Sequence, residues 1–290
     1  MKKLILSLTL LIVLTSTIFI FAACSSSAPV PGVSWATTET LKYDIIDSAN
    51  NNVKIGFYET SIEKLIAADN YVIDKIPNQK FKISTNVLKG FRYKETAKDL
   101  NDAILMETES IFDGFNVIGS YKKVYANSLN ITPYETIIIL EDGKFKITIN
   151  GESKPAIKSK GNITPNELIY NAVRPYSELD DSFSTSLAVI DPTSGKTLDI
   201  NIATTSDREN IKFNYSNNNS ELTATEQPCI KVKISKGSAP IGKIIEAWYT
   251  PASFKISGSL NLSNSNYSIH IPAKIVENNL VYLLTEARAV

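Results

Sequence analysis

The sequence has little of what metal, redox or disulfide chemistry requires. Its 290 residues include two cysteines and one histidine, and basic and acidic side chains balance at 30 each. A single histidine excludes the paired-histidine zinc motif. The even charge offers no basic surface to nucleic acid. No Gly-x-Ser-x-Gly elbow supports a serine hydrolase. We therefore expect a protein that is not an enzyme and has no metal, cofactor or nucleic-acid partner.

The amino terminus has the pattern of an export signal. Lys2-Lys3 precede an apolar run, Leu4–Phe21, and Ala22-Ala23-Cys24 follow it. This order resembles a bacterial lipoprotein signal, in which residues 1–23 are removed and Cys24 receives the lipid, including palmitate. We predict a cell-envelope lipoprotein attached through Cys24 to the outer face of the cytoplasmic membrane, or to the outer membrane where the cell has one.

Two alternatives for this leader stay open. The apolar run is close to the ~20 residues that span a bilayer, so an uncleaved membrane anchor is one of them. Secretion without a lipid is the other. Phe21 stands where the lipoprotein cleavage box usually has leucine, which bears on how efficiently Cys24 is processed.

The part after Cys24 divides into a tether and a folded region. Residues 24–36 are small and polar and include Pro29 and Pro31, so we predict a flexible tether. We predict one β-rich domain over 37–290, in which two similar halves would meet near 151–165. Removal of the leader leaves 28 basic and 30 acidic side chains, so membrane attachment would rest on the lipid. If Cys24 is acylated, Cys229 has no disulfide partner.

Alternation with a period of two dominates the folded region. Apolar side chains alternate with lysine, threonine, asparagine or aspartate in four stretches: Phe81 and Ile83, Phe145–Ile149, Leu198–Ile202, and Ile230–Ile234. Asp142-Gly143 is a strong hairpin signal, and Asn50–Asn52, Asn217–Asn219 and Ser263–Asn266 mark further turns. The sequence predicts a mainly β protein with a strongly curved antiparallel sheet, as a half-barrel or an open barrel.

One short helix is predicted at about 164–174. Thr164 has the character of an N-cap, with Pro165 in the first turn and Glu167 three residues after the cap. Leu168, Ile169, Ala172 and Val173 form one apolar stripe, which would plug the curved sheet or pack at its edge. Ser61–Ala68 is predicted as strand, whereas Ala97–Met106 fits helix or strand.

Three groups of residues have the composition of reactive sites. Asp191–Thr197 ends like a phosphate-binding loop but lacks the first glycine and the following helix, so it predicts a turn. Cys229 would share a polar strand face with Lys231 and Lys233, which would lower its thiol pKa, and could pair with His270 as nucleophile and base. We favour a structural cysteine at the start of a strand and an exposed histidine. Asp180-Asp181 fits a solvated loop better than a cation or sugar site.

Four aromatic residues are candidates for a ligand surface. Trp248 and Tyr249 are adjacent, and Tyr170 and Tyr176 flank the end of the predicted helix. Such rings can line an apolar or sugar-stacking surface, although packing in the core is the more frequent role.

The whole succession of motifs resembles a group of uncharacterised bacterial envelope lipoproteins. The resemblance rests on short motifs in both halves of the chain: Glu39–Asp44, Ser120–Val124, Leu168–Tyr176, Ser186–Ile202, Cys229–Val232, Trp248–Thr250, Ile271–Lys274 and Tyr282–Leu284. It implies a curved sheet similar to the half-barrel of lipoprotein-localisation factors, whose concave side accepts acyl chains. It transfers no catalytic residue. We expect non-catalytic binding of an apolar or amphiphilic envelope molecule, with a module for a protein or polysaccharide partner as the alternative and a Cys229–His270 enzyme as the third.

Overall fold

A computed structural model describes residues 38–64, 90–113, 116–125, 132–159, 163–174, 179, 182–217, 220–236, 244–254, 256 and 270–289. Several sequence predictions lie outside these residues and stay predictions. They are the leader and tether with Cys24, the strand around Phe81 and Ile83, the turn at Ser263–Asn266, the acidic pair Asp180-Asp181, and Tyr176.

Fifteen strands and one short helical segment make up the described structure. The strands are β1 (Thr38–Asp47), β2 (Val53–Lys64), β3 (Gly90–Asp99), β4 (Ile104–Asp113), β5 (Asn116–Val124), β6 (Tyr134–Glu141), β7 (Lys144–Ile149), β8 (Glu152–Lys158), β9 (Ile163–Pro165), β10 (Ser184–Ile190), β11 (Thr197–Asn217), β12 (Thr223–Lys236), β13 (Ile245–Tyr249), β14 (Pro272–Glu277) and β15 (Leu280–Ala289). A 3-10 turn, Asn166–Leu168, continues into α1, Ile169–Val173. We call Asn166–Val173 the inner helix.

All fifteen strands belong to one sheet made of two meanders. The first runs from β1 to β8 and the second from β10 to β15, and β1 joins them by pairing antiparallel with β15. β8 and β9 are the two ends of the strand order, and the chain passes between them from Lys158 to Ile163. β9 pairs parallel with β10. The predicted mainly β fold with a large, curved antiparallel sheet and one short helix is confirmed.

Local patterns decide the strands and turns as the sequence predicts. Phe145, Ile147 and Ile149 are buried in β7 while Lys144 and Lys146 are exposed. Asp142 and Gly143 adopt φ angles of 49° and 69°, as a tight primed hairpin turn requires. Asp191 accepts hydrogen bonds from the Thr193 and Ser194 side chains in the β10–β11 turn. The motif that ends like a phosphate-binding loop is therefore a turn, as predicted.

Neither of the two stretches that fitted helix or strand is helical in its described part. β3 and β4 form a hairpin whose turn, residues 100–103, lies inside the stretch Ala97–Met106 that fitted either type. β2 extends to Lys64, so the described part of Ser61–Ala68 is strand.

The inner helix connects the two meanders. Leu168 packs in a core with side chains of the first meander, including Phe91, Phe112 and Phe145. Ile169, Ala172 and Val173 belong to the second core, which consists mainly of residues of β1 and β10–β15 and also includes a few residues of β2–β5. The apolar stripe therefore plugs the curved sheet, one of the two placements that the sequence allowed.

The predicted cap of this helix is wrong. Thr164 and Pro165 belong to β9, Pro165 is the N-cap, and no side chain caps the helix. The Thr164 hydroxyl is buried without a hydrogen-bond partner among the described residues. Glu167 does not return to the cap, because its carboxylate accepts a hydrogen bond from Ser120 on β5.

Candidate functional site

A cavity of about 300 Å³ remains inside the sheet beside the inner helix. The β10–β11 turn at Asp191–Thr193 and the β14–β15 turn at Asn278 border it. Its size is at the lower end of the roughly 300–1,000 Å³ of small-molecule sites. The cavity therefore suits a compact ligand or the headgroup of a larger one.

A row of polar side chains crosses the inner face of the first meander, and two of them, Glu95 and Lys122, line the cavity. β2 to β6 each contribute one residue, and neighbours in the row face each other directly in register: Thr60, Glu95, Thr108, Lys122 and Thr136. We call this row the polar belt. Register partners point to the same side of a sheet, so the belt places charge where a β-protein normally buries apolar groups.

Glu95 has one satisfied and one unsatisfied carboxylate oxygen. The hydroxyls of Tyr58 and Tyr93 donate to its Oε1 at 2.7 and 2.6 Å. Burial, and then the charge of Glu95, raises the pKa of both tyrosines, so they remain protonated donors. Oε2 is buried without a hydrogen-bond partner among the described residues. Buried carboxylate oxygens are rarely left in this state.

Lys122 faces the same cavity from β5. It stands two strands from Glu95, about 10 Å between backbones at the usual strand spacing. No hydrogen bond or ion pair joins its ammonium to a described residue. Burial by itself lowers the pKa of Lys122, but Tyr134, Glu95, Glu167 and Glu277 together outweigh burial and raise it. Lys122 is therefore a cation whose three N–H donors are available to the cavity.

Glu167 brings a second carboxylate to the cavity from the inner helix. Ser120 donates to its Oε1, and the Ser120 and Ser110 hydroxyls lie 2.8 Å apart in a buried chain. Burial raises the pKa of Glu167, and the charge of Lys122 opposes that rise only in part. The inner helix is thus positioned by the hydrogen bond from Ser120 to Glu167, and the strength of this bond depends on the ionisation of the Glu167 carboxyl group.

The Glu167→Gln variant should therefore show an altered pH dependence of stability. Because the folded pKa is raised, Glu167 favours folding below its ordinary pKa, and this contribution is lost as the pH rises through the raised value. Glutamine has no such loss. Urea unfolding should find Glu167→Gln gaining stability relative to the parent from about pH 5 to about pH 8.

The matched control is Glu152→Gln, an exposed glutamate whose pKa is lowered by its hydrogen bond to Lys154. Its stability relative to the parent should not rise over that pH range. An equal rise in both variants would contradict the assignment to burial.

The opposite wall of the cavity is apolar and belongs mainly to the second meander. Its side chains are aliphatic except for one tyrosine: Ile169, Leu198, Ile200, Ile234, Ile245, Ile275 and Tyr282. Tyr170 also lines the cavity, and its hydroxyl lies 3.3 Å from Glu277 Oε2. The site is consequently amphiphilic, with hydrogen-bonding groups on one side and aliphatic groups on the other.

The structure describes three of the four aromatic residues predicted as a ligand surface, Tyr170, Trp248 and Tyr249, and Trp248 lies apart from the other two. Tyr249 is buried and donates to the Tyr170 carbonyl at 3.0 Å. Its neighbour Trp248 points to the other face of β13, where Lys274 Nζ and Lys231 Nζ lie 4.5 and 5.1 Å from its ring centroid. Among the described members of the set, Tyr170 is the one that lines the cavity.

The structure contradicts the expected polar face and lowered pKa of Cys229 and the expected exposure of His270, whereas the burial of Cys229 agrees with a structural cysteine. Cys229 is fully buried in the middle of β12, and burial, with Glu209 adding to it, raises its pKa to about 12. Next to the register shift between Thr204 and Arg208 on β11, the burial pattern of β12 changes phase, so that Cys229 and Ile230 are both buried. His270 is also buried. It directly precedes β14, and its Nδ1 lies 2.6 Å from the Thr250 carbonyl oxygen.

The thiol of Cys229 should be inert in the folded chain. Its burial and raised pKa leave almost no thiolate at about pH 8, so iodoacetamide should add to it only after denaturation. Mass spectrometry of a Cys24→Ser chain, in which Cys229 is the one remaining thiol, measures this directly. Rapid alkylation of the native chain would contradict the burial and restore the reactive-cysteine hypothesis.

A buried ion pair fixes the end of the inner helix. Arg174 donates from both terminal nitrogens to the two carboxylate oxygens of Glu39 on β1, each at 2.7 Å. Its Nε donates to the His270 carbonyl, also at 2.7 Å. Arg174 is fully buried and Glu39 nearly so. Both residues lie in motifs noted in the sequence, but their 135-residue separation gave no local signal of a pair.

Other kinds of site are not found in the described part of the chain. No group of three or more histidine, cysteine, aspartate or glutamate residues there is arranged to hold a metal ion. Within the same residues, no helix has the length and apolar character needed to cross a membrane.

These features define a mainly β protein whose single curved sheet surrounds a short helix and a small amphiphilic cavity. Comparison with protein-family models and with curated protein sequences gives no match. A solved structure, described as a beta-barrel-like protein of domain of unknown function DUF1849 from Brucella abortus, is similar at 9% identity. The match covers 89% of this chain and 100% of that one, with a TM-score of 0.43.

Proposed function

We propose that this chain is a non-catalytic, lipid-anchored envelope protein that binds an amphiphilic molecule in the interior cavity. The observation that supports the proposal is the composition of that cavity. The polar belt supplies Glu95 Oε2, which is buried without a hydrogen-bond partner among the described residues, and the Lys122 ammonium, opposite an aliphatic wall. Such groups are costly to bury and are normally satisfied by a partner.

The inner helix limits what the cavity can hold. In a half-barrel of the lipoprotein-localisation type, which the sequence resembles, the concave side would be available to acyl chains. Here Leu168, Ile169 and Val173 fill much of that side. The proposal therefore places the ligand's polar group and the adjoining part of its chain in the cavity, rather than a whole diacyl lipid.

Native mass spectrometry tests the binding. The chain from residue 25 to 290 contains every described strand and would be mixed with a lipid extract of the producing cells. We expect a bound mass with the parent and with Val53→Trp, whose side chain is 54% exposed. Ile200→Trp, which fills the cavity, should lose the bound mass while its circular dichroism still shows β structure. Absence of bound mass from the parent would overturn the proposal.

Cell fractionation tests the anchor. The full chain should be found with the membranes. Cys24→Ser should release it to the soluble fraction, because serine cannot receive the lipid that is proposed to hold the mature chain to the membrane. Membrane retention of Cys24→Ser would support the uncleaved-anchor alternative instead.

A second candidate function is an interaction module for a protein partner. It is favoured by two exposed apolar side chains on the outer face, Phe57 and Ile104, each 43% exposed, which flank Lys98 in register across β2, β3 and β4. Under this alternative, Phe57→Ser would abolish binding of the protein partner. It would not change the mass of small molecules bound to the chain in native mass spectrometry.

A further inference from the structure

The charges around the cavity restrict the headgroup that it can accept. Lys122 would attract an anion, yet Glu95, Glu167 and Glu277 line the same cavity and would repel it. An ammonium group would be attracted by these carboxylates but would meet Lys122. A headgroup that carries only a positive or only a negative charge therefore meets a buried charge of the same sign, and this repulsion costs free energy at low dielectric.

The two polar-belt residues that line the cavity offer opposite kinds of hydrogen-bonding group, a donor and an acceptor. Lys122 offers N–H donors, whereas Glu95 Oε2 is a bare acceptor. A hydroxyl group accepts one hydrogen bond and donates another, so it can serve both. Several hydroxyls on one compact ring would match a row of polar side chains that runs across neighbouring strands.

The neighbouring side chains suit the remainder of such a molecule. Tyr58, Tyr134 and Tyr170 line the cavity and offer rings against which the apolar face of a sugar can pack. The aliphatic wall, including Ile234, Ile245 and Ile275, would hold the first part of an alkyl chain.

We propose that the cavity binds the uncharged, polyhydroxylated headgroup of an amphiphile, such as a glycosyl group, through Lys122 and Glu95. Lys122 Nζ donates to one ligand hydroxyl oxygen, and a second hydroxyl donates to Glu95 Oε2. This assignment rests on the proposed function, because it concerns the same cavity and names the class of its ligand.

Calorimetric titration with three eight-carbon probes tests the assignment on the chain from residue 25 to 290. The probes are octyl glucoside, octanoate and octylamine, each below its micelle concentration. We expect octyl glucoside to bind at least tenfold more tightly than either charged probe. Equal or tighter binding of octanoate or octylamine would overturn the headgroup assignment and leave the proposed function standing, whereas no binding of any probe would count against both.

Lys122→Met and Lys123→Met form a matched pair on the same strand. Lys123 points to the opposite face of β5 and pairs with Glu135 Oε2 at 3.3 Å. Lys122→Met should weaken octyl glucoside binding by about 10–100-fold, the range for loss of a charged hydrogen bond. Lys123→Met should leave it unchanged. If both variants bind the glucoside like the parent, Lys122 does not contact the headgroup and the assignment is wrong.

Glu95→Gln provides a second readout that does not depend on Lys122. It keeps an oxygen for the hydroxyls of Tyr58 and Tyr93 but replaces the free acceptor by an amide donor. Binding of the glucoside should weaken, and octanoate should gain affinity relative to the parent because one negative charge is gone. Unchanged selectivity among the probes would contradict the role of Glu95.

Discussion

Arg174→Met is expected to lower the free energy of unfolding by about 3–5 kcal/mol, because it leaves a buried carboxylate without its partner. In the folded chain Arg174 fills both oxygens of Glu39 and also donates to the His270 carbonyl. Methionine preserves the bulk of the side chain but provides none of these donors. Chemical unfolding monitored by circular dichroism measures the change.

Two further variants separate this effect from a general loss of packing. The double variant Glu39→Gln with Arg174→Met should recover part of the stability, since it removes the unpaired charge. Arg288→Met breaks a pair with Glu286 in which the arginine is 44% exposed, so it should lower stability far less than Arg174→Met does. A cost for Arg174→Met as small as that for Arg288→Met would contradict the buried pair.

Leu168→Ala is expected to destabilise the chain by about 2–5 kcal/mol, the usual cost of a leucine truncated in a packed core. Leu168 is fully buried in a core formed mainly by the first meander, whereas the next helix residue, Ile169, belongs to the core that contains most of the buried side chains of the second meander. The variant therefore weakens the packing through which the helix holds one half of the sheet to the other.

Leu100→Ala is the appropriate control for this prediction. Leu100 lies in the β3–β4 turn and is 56% exposed, so the same truncation should change stability by less than about 0.5 kcal/mol. Urea midpoints of the two variants give the comparison. Similar midpoints would show that the inner helix contributes little to the stability of the sheet.

The strands that could be predicted are those whose alternation is regular. Phe145–Ile149 and Ile230–Ile234 alternate cleanly, and Asp142-Gly143 dictates its hairpin by local backbone geometry. The helix was also locally encoded, but its cap was not. Glu167 binds Ser120, 47 residues away, and a tertiary contact of this kind overrides a capping preference worth about 1 kcal/mol.

The candidate site was harder to predict because its polar residues lie on the inner face. Glu95 could have been noticed in the sequence, since it lies on the same face of β3 as the buried apolar residues Phe91, Tyr93 and Ala97. Lys122 left none, because β5 has no regular alternation around it and Lys123 follows directly. The belt is formed only by pairing of neighbouring strands, which a local pattern does not specify.

The pairing of the chain ends was equally beyond local patterns. β1 and β15 come from opposite ends of the folded region and join the two meanders, and Glu39 on β1 meets Arg174 only as a result. Burial of an arginine and a glutamate runs against the usual preference of both residues for the surface. No periodicity in the sequence could indicate that these two charges neutralise each other.

A crystal structure of the chain from residue 25 to 290, grown with the octyl glucoside probe, tests the central claim most directly. We expect electron density for a sugar ring in the cavity, with a ring hydroxyl within hydrogen-bond distance of Lys122 Nζ and the alkyl chain toward Ile245. A cavity that contains only water molecules, or one closed by its own side chains, would contradict it.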